Sequence, residues 1–257
     1  MEITVAGVTD PGRIRFRNED RYLLHPPILA VADGMGGHLV GDKAAQAIID
    51  ALAAVSWEGV DDSDLADKLQ ECVDESRAKI VKVIKEGKLE ETATRVGAQP
   101  GAGTTLAGVL YVENDQKWLI FHIGDSRVYL WRDGRLSRLT RDHSLVQELL
   151  DEGEITEAEA RVHPQKAVIT RAVGSYGESS VETSYLEARE GDTIMVCSDG
   201  LSDELDDSDV SSVIVDVEDG EDVVSLDAVA FALRDVALTR GGRDNVTVAL
   251  MKIGVSE

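Results

Sequence analysis

The distribution of apolar and polar residues predicts which parts of the chain form strands and which form helices. Apolar, β-branched residues follow one another with little polar interruption in several early segments, as they do in buried strands. These segments are residues 2–8, 21–24, 28–32, 104–112 and 117–123. Residues 44–55 and 61–86 instead carry apolar side chains every three or four positions, which predicts two long amphipathic helices.

The order of the elements favours an α+β protein. Further strands are predicted at 126–131, 181–187, 192–197 and 246–253, and helices at 144–159 and 223–239. Strands and helices do not alternate one by one, so a doubly wound parallel sheet is not expected. We predict an antiparallel β-sandwich with helical outer layers. No repeat, low-complexity tract or linker divides the chain, which indicates a single domain over residues 1–257.

Acidic residues dominate the charge of this chain. Its 257 residues include 49 Asp and Glu against 26 Lys and Arg, a formal charge of −23. This excess argues against nonspecific nucleic-acid binding and against docking on anionic lipid, because both rely on clustered cations. There is no apolar run of about eighteen residues and no leader-like start, and the two cysteines are too few for a disulfide scaffold. We therefore expect a cytoplasmic protein with reduced thiols.

Several common catalytic motifs are missing from the sequence. Gly36 and Gly41 have the spacing of P-loop glycines, but Asp42 and Lys43 stand where Lys and Ser or Thr are required. There is no His-Glu-x-x-His, no Gly-x-Ser-x-Gly and no Cys/His spacing typical of zinc sites. The segment 101–106 also lacks the third glycine of a dinucleotide-binding fingerprint. Serine hydrolysis, zinc chemistry and hydride transfer therefore lack their usual signatures.

Aspartates recur where predicted strands begin or end. Asp33, Asp125 and Asp199 each follow an apolar segment, Asp244 precedes the last strand, and Asp20 lies before 21–24. Converging carboxylates are typical ligands of Mg²⁺ and Mn²⁺, which prefer oxygen. The alternative for any single Asp-Gly pair is an ordinary turn. The recurrence after three separate strands favours a metal site.

These aspartates belong to a series of motifs that resembles one known family. The segments include Val-Ala-Asp-Gly-Met-Gly-Gly-His at 31–38, Ile-Gly-Asp-Ser-Arg at 123–127 and Gly-Arg-Asp-Asn-Val-Thr at 242–247. Others lie at 12–20, 103–106, 139–144, 169–174 and 197–201. In this order they resemble the metal-dependent protein phosphatases, also called protein phosphatase 2C, in their compact bacterial form. The resemblance implies an αββα sandwich of two antiparallel sheets covered by helices.

The resemblance also implies a centre of two Mg²⁺ or Mn²⁺ ions. The ligands it implies are the carbonyl of Gly34 and the side chains of Glu19, Asp20, Asp33, Asp199 and Asp244. Asp33 would bridge the ions, and Glu19 and Asp20 would act mainly through bound water. A bridging, metal-bound hydroxide would attack phosphorus directly, with no phosphoenzyme. A third, weaker metal site would use Asp125 and Asp199 with Asp203, for which a merely solvated carboxylate is an equal alternative.

Two further residues receive catalytic roles from the resemblance. Arg15 would hold the substrate phosphate through its planar guanidinium, while Arg13 and Arg17 would be rim charges. His38 would be the general acid for the leaving oxygen, with a turn histidine that orders water as the alternative. Residues 143–168 would form a flap beside the site.

The leading hypothesis is therefore a Mg²⁺/Mn²⁺-dependent phosphatase of phosphoserine and phosphothreonine proteins. One alternative is a phosphohydrolase of small phosphate esters, which would share the same metal ligands. Another is a non-catalytic binding module of the same fold, which would be expected to lack metal aspartates. The expected partners are phosphoproteins, among them a bacterial Ser/Thr kinase or its substrates, and the expected state is a monomer with no nucleic-acid or membrane partner.

Overall fold

Two five-stranded antiparallel sheets stack in the computed structural model, which describes residues 2–36, 40–86, 102–174, 179–220 and 225–254. In spatial order, the first sheet contains β1 (Ile3–Asp10), β13 (Val246–Ile253), β12 (Thr193–Cys197), β8 (Arg127–Arg132) and β9 (Arg135–Arg138). The second contains β11 (Glu182–Glu187), β7 (Lys117–Ile123), β6 (Leu106–Val112), β3 (Ile28–Ala32) and β2 (Arg21–His25). A small third sheet contains β10 (Val173–Gly174), β5 (Gly103–Thr104) and β4 (Gly34–Met35).

Helices cover the outer faces of both large sheets. In chain order, the described residues form α1 (Gly41–Ala53), α2 (Asp62–Glu86), α3 (Leu145–Asp151), α4 (Glu157–Val162), α5 (Asp199–Ser202), α6 (Asp207–Gly220) and α7 (Leu226–Arg240). Helices α1 and α2 pack on the second sheet, and α6 and α7 pack on the first.

The alternation of side chains along each strand explains this layering. In β3, Ile28, Ala30 and Ala32 pack in one core with α1 and α2. Leu29 and Val31, which point to the opposite face, pack against the first sheet in the core between the sheets. Strand β13 divides its side chains in the same way between α6–α7 and the second sheet. The predicted αββα sandwich is therefore confirmed.

Apart from the short elements β4, β10 and α5, which were not predicted either, three segments differ from the prediction. Residues 144–159, predicted as one helix, form α3 and the start of α4 with a break between them. Neither β9 nor α6 was expected. The Asp133-Gly134 turn that produces β9 has left-handed backbone at both positions, with φ of 52° and 70°, which favours a tight hairpin. These differences lie outside the strand ends that carry the aspartates.

The helices and the two cysteines can be compared with the expectations of no membrane span and reduced thiols. Within the described ranges, no helix has the length and apolar character that crossing a membrane requires. Cys72 and Cys197 are both free thiols in the protein interior. Burial raises the pKa of the Cys72 thiol to about 11 and that of Cys197 to about 12, so both stay protonated near neutral pH.

Candidate metal centre

Five of the aspartates predicted as metal ligands meet at one edge of the sandwich. They are Asp20, Asp33, Asp125, Asp199 and Asp244. In the antiparallel register, Arg21 at the start of β2 pairs with Ala32 at the end of β3. Similarly, Cys197 at the end of β12 pairs with Val248 near the start of β13. Because the start of one strand lies beside the end of its neighbour, the adjoining loops converge at this edge.

A cleft of about 630 Å³ opens at this edge. Its lining includes most of the predicted site, namely Arg15, Glu19, Asp33, Gly34, Asp125, Asp199 and Asp244. Asp20 does not line the cleft, because its side chain is buried in the protein, where it interacts with Asp33. Asp203 lines a neighbouring cavity of about 720 Å³, which shares Asp125 and Asp199 with the cleft.

The clustered aspartates hold their protons more tightly than exposed carboxyl groups do. Burial is the largest cause, and it raises the pKa of Asp125 to about 7 and that of Asp20 to about 6. The pKa of Asp33 is raised well above its ordinary value by burial and then by the charges of Asp20 and Asp199. The pKa of Asp199 is raised by burial and then by the charge of Asp125. A cation among these groups would oppose this repulsion and favour their ionised form.

Of the three buried carboxylate oxygens that have no hydrogen-bond partner among the described residues, two lie at this edge of the sandwich. They are Oδ1 of Asp20 and Oδ1 of Asp199. Burying such an atom without a partner is unfavourable, so an orphaned oxygen indicates a binding site for something else. Every ionisable acceptor among the described cleft-lining residues is a carboxylate, which is the donor type that Mg²⁺ and Mn²⁺ prefer. The residues therefore fit the predicted pair of divalent cations.

Thr104, at the end of β5, and Thr105, which follows it, fix the backbone of Asp33. The hydroxyl of Thr104 donates to the Asp33 carbonyl at 2.9 Å. The hydroxyl of Thr105 accepts from the Asp33 amide at 3.0 Å and shares a 2.7 Å hydrogen bond with the hydroxyl of Ser126. Ser126 directly follows Asp125, so this chain of hydrogen bonds connects the loops of two predicted ligands. The sequence offered no sign of this role, because both threonines belong to an apolar strand pattern.

Asn245 and Thr247 fasten the loop before β2 to β13. The Asn245 side chain accepts from the Glu19 amide at 2.8 Å and donates to the Arg17 carbonyl at 2.8 Å. The hydroxyl of Thr247 donates to Oδ2 of Asp20 at 2.7 Å. These contacts leave Oδ1 of Asp20 as its unpartnered oxygen. Both residues lie in the motif 242–247, but neither was singled out from the sequence.

The loop that follows Asp33 approaches Glu19 so closely that only glycine is accommodated. A Cβ atom added at Gly34 would overlap the carbonyl oxygen of Gly41, and one added at Gly41 would overlap Oε2 of Glu19. Gly34 therefore lies where the resemblance places it, at the cleft beside Asp33. Coordination through its carbonyl stays a prediction.

Arg15 stands over the cleft and is paired with one of the predicted ligands. Its Nη2 atom lies 2.5 Å from Oδ2 of Asp244, and both side chains are partly exposed. This hydrogen bond is the main cause of the raised pKa of Arg15, so the guanidinium stays charged. Arg17 lines the same cleft, in agreement with a rim position.

Two of the predicted site residues, His38 and Asp203, are not among the described residues that line the cleft. His38 lies outside the described residues, and its role as general acid stays a prediction. Asp203 forms an ion pair of 2.5 Å with Lys166, a residue of the segment predicted as the flap. Its charge also contributes to the raised pKa of Asp125 and Asp199, so the three carboxylates do lie together.

The segment 143–168 is closed at its base by the backbone. A β-bridge joins Ser144 to Ile169, and the Thr170 amide donates to the His143 carbonyl at 2.8 Å. Helices α3 and α4 lie within this loop, and Ala167 near its end lines the cleft. The segment therefore borders the site as a flap would.

A second group of possible metal ligands lies beside the centre. Ligand atoms of His122, His143 and Glu182 lie within 4.8 Å of one another. Arg171 is already in contact with this group, with its Nη1 atom 3.0 Å from Nε2 of His143 and 3.4 Å from Glu182. Because a side-chain cation is already present there, we interpret this group as a support for the nearby loop of Asp125.

Comparison with known proteins agrees with the fold. The family model for protein phosphatase 2C matches residues 16–228. The chain belongs to the protein phosphatase 2C family, as the motifs predicted.

Bacterial proteins named as serine/threonine phosphatases are among its relatives. The serine/threonine protein phosphatase PstP of Mycobacterium tuberculosis is 39% identical over 256 residues, and the match covers 98% of this chain and 45% of PstP. This chain therefore spans less than half the length of that relative. The serine/threonine phosphatase stp of Listeria monocytogenes is 34% identical over 253 residues, covering 95% of this chain and 93% of stp.

Solved structures extend the similarity to the whole architecture. A crystal structure of PstP superposes with a TM-score of 0.81 at 35% identity, covering 98% of this chain and 99% of that one. The catalytic domain of PstP in complex with two manganese ions has a TM-score of 0.79 at 34% identity, with coverage of 98% and 99%. The related domain thus holds the number of ions that the sequence motifs predicted here.

Proposed function

We propose that this chain is a Mn²⁺- or Mg²⁺-dependent protein phosphatase that hydrolyses phosphoserine and phosphothreonine. The observation that carries the proposal is the convergence of five aspartates at one edge of the sandwich, with buried unpartnered oxygens on Asp20 and Asp199. Such a group is stable in its ionised form only with cations. Its position in an open cleft gives a phosphorylated side chain access to it.

The chain's own residues define where the cations and the phosphate bind. Asp33, Asp199 and Asp244 would hold two divalent ions, with Glu19 and Asp20 oriented by Asn245 and Thr247. When bound, these ions supply Lewis acidity that lowers the pKa of water and offsets charge on the phosphoryl group.

Arg15 would bind the substrate phosphate. Its guanidinium has the planar fork that matches phosphate oxygens, and it already pairs with a carboxylate at the mouth of the cleft. Phosphate binding requires Arg15 to leave Asp244, which is then free for a cation. His38 remains the proposed donor of a proton to the leaving oxygen.

Direct hydrolysis, without a covalent phosphoenzyme, agrees with the described residues. The cysteines do not line the cleft, and burial raises the pKa of Cys197 to about 12. Thr105, the hydroxyl residue among the described lining residues, is engaged with the Asp33 amide and with Ser126. Neither kind of side chain is arranged as a nucleophile.

The test replaces one carboxylate at a time. Asp33→Asn and Asp199→Asn should each lower kcat on a phosphothreonine peptide by at least about a hundredfold, because each removes a ligand charge. Isothermal titration should show loss of tight Mn²⁺ binding in both variants. Asp216→Asn, an exposed carboxylate on α6, should change neither quantity. Full activity of the wild-type protein in EDTA would contradict the proposal.

Substrate comparison separates the two alternatives. Faster turnover of metabolite phosphates than of phosphopeptides would favour a phosphohydrolase of small esters. Absence of both turnover and Mn²⁺ uptake would favour a non-catalytic binding module. A kinase partner, a monomeric state and a cytoplasmic location are predictions that follow from the sequence alone.

A further inference from the structure

Two large apolar side chains flank Arg15 at the mouth of the cleft. Ile14 is 65% exposed and Phe16 is fully exposed, and both line the cleft. Phe121, another of the three phenylalanines in the chain, is completely buried. Adjacent apolar groups of this size are unfavourable in water, so their exposure beside a cleft indicates a surface that a partner covers.

The backbone that carries these side chains is anchored on both sides. The Arg13 amide donates to the Gly242 carbonyl at 2.7 Å. On the other side of the pair, the Asn245 side chain donates to the Arg17 carbonyl at 2.8 Å. Ile14 and Phe16 are thus displayed from a fixed base, which lowers the entropy lost when a ligand packs on them.

Other residues that line the same cleft are also apolar. Met35, which follows the Asp33-Gly34 pair, and Ala167 and Ile169 at the end of the flap segment contribute to its lining. The lining of the cleft therefore combines carboxylates with several apolar side chains. A free inorganic phosphate or a small sugar phosphate has no apolar part to cover such a rim.

We propose that Ile14 and Phe16 bind a large apolar side chain of the phosphoprotein substrate, located within two residues of the phosphorylated serine or threonine. This inference rests on the proposed phosphatase function and on phosphate binding by Arg15. A residue two positions away in an extended peptide lies about 7 Å along the chain, within reach of the side chains that flank Arg15. The rim thus selects phosphorylated segments that are apolar next to the phosphate.

The test uses matched substrates and matched variants. Two phosphothreonine peptides would differ only in having Leu or Ser at the flanking positions, and O-phosphothreonine would report the chemistry alone. The wild-type protein should show a kcat/KM about tenfold higher on the Leu peptide, and the Ile14→Ser/Phe16→Ser double variant should lose that preference. The loss should come mainly from KM. Turnover of O-phosphothreonine should be unchanged.

A control variant and contrary outcomes complete the experiment. Phe231→Ser, which changes an exposed side chain on α7 that does not line the cleft, should leave the preference for the Leu peptide intact. Equal kcat/KM of the wild-type protein on both peptides would overturn the inference while leaving the phosphatase function standing. A concentration-dependent dimer that Phe16→Ser abolishes would also overturn the inference, because Ile14 and Phe16 would then be covered by a second copy of the chain. Failure to hydrolyse any phosphothreonine substrate would instead refute the proposed function.

Discussion

At the scale of single residues, His143 holds the backbone next to a predicted metal ligand. Its Nδ1 atom accepts from the Gly124 amide at 3.1 Å, and its own amide donates to the Gly124 carbonyl at 2.9 Å. In the neutral ring the proton is then on Nε2, which can donate to Glu182 at 3.1 Å but cannot accept from the nearby Arg171. Burial lowers the pKa of His143, which favours this neutral form. Since Gly124 precedes Asp125, these two contacts hold the backbone next to that carboxylate.

This contact predicts a difference between two substitutions. His143→Ala removes the acceptor for the Gly124 amide and should weaken Mn²⁺ binding at the site of Asp125 by about tenfold. His143→Asn supplies a side-chain oxygen near the place of Nδ1 and should restore most of the affinity. Metal titration by calorimetry measures both, with exposed His25→Ala as control. Equal losses in the two variants would refute a role for the hydrogen bond.

The sequence revealed the carboxylates but not the residues that orient them. An aspartate at the end of an apolar strand is visible in a local pattern, as for Asp33 and Asp199. Thr105 and Asn245 act through hydrogen bonds to residues 72 and 226 positions away. Such pairings depend on which strands become neighbours, and this is a property of the whole sheet. Only their inclusion in family motifs could have drawn attention to them.

At the scale of elements, strands were predicted better than short helices. The apolar runs of β3, β6, β7 and β12 are distinctive because both faces are buried. The break between α3 and α4 was missed although Thr156 and Glu159 form a capping box, a local signal of a helix start. In α6, the apolar residues Val210 and Ile214 lie four apart, but the many acids around them obscured the helix.

The ion pair between the flap segment and Asp203, the residue that follows α5, suits a test at this scale. The Lys166 ammonium lies on Asp203, so it competes with any cation that Asp203 would bind. Lys166→Gln should therefore raise Mn²⁺ affinity at the third, weaker site about two- to fivefold, within the range of a partly exposed pair. Lys79→Gln, which removes another exposed ion pair, is the matched control. A fall in affinity in Lys166→Gln would contradict the competition.

At the scale of the whole molecule, the charge of −23 has two parts. The aspartates of the cleft repel one another and gain from cations, whereas the acids of α2 and α6 lie largely on solvent-exposed helix faces. Only the first part makes folding stability depend strongly on metal. The exposed acids of α2 and α6 favour solubility.

The metal-free protein should become less stable as pH rises. Folding raises the pKa of Asp125 from its ordinary 3.8 to about 7, so above pH 4 the unfolded chain ionises first. This contribution to stability is full at acidic pH and is lost as pH rises through about 7. In EDTA, Asp125→Asn should therefore exceed the wild-type Tm by at least about 3 °C at pH 8, with little difference at pH 4.

Excess metal should instead give the wild-type protein a higher Tm than Asp125→Asn. With Mn²⁺ in excess at pH 8, the wild-type protein gains binding energy through an ionised Asp125, and the variant gains less. Differential scanning calorimetry measures both conditions. A variant that is less stable than the wild-type protein in EDTA at pH 8 would show that the carboxylate is not destabilising.

The pairing of β1 with β13 also governs when the site can form during synthesis. Thr9 lies opposite Thr247, and Asp20 receives its hydrogen bond from that same threonine. After Asp20, a ribosome must therefore add another 227 residues before Thr247 can donate to that carboxylate. Until then the nascent chain has no complete cation site. Phosphatase activity at this site is therefore expected to begin only once β13 has paired with β1.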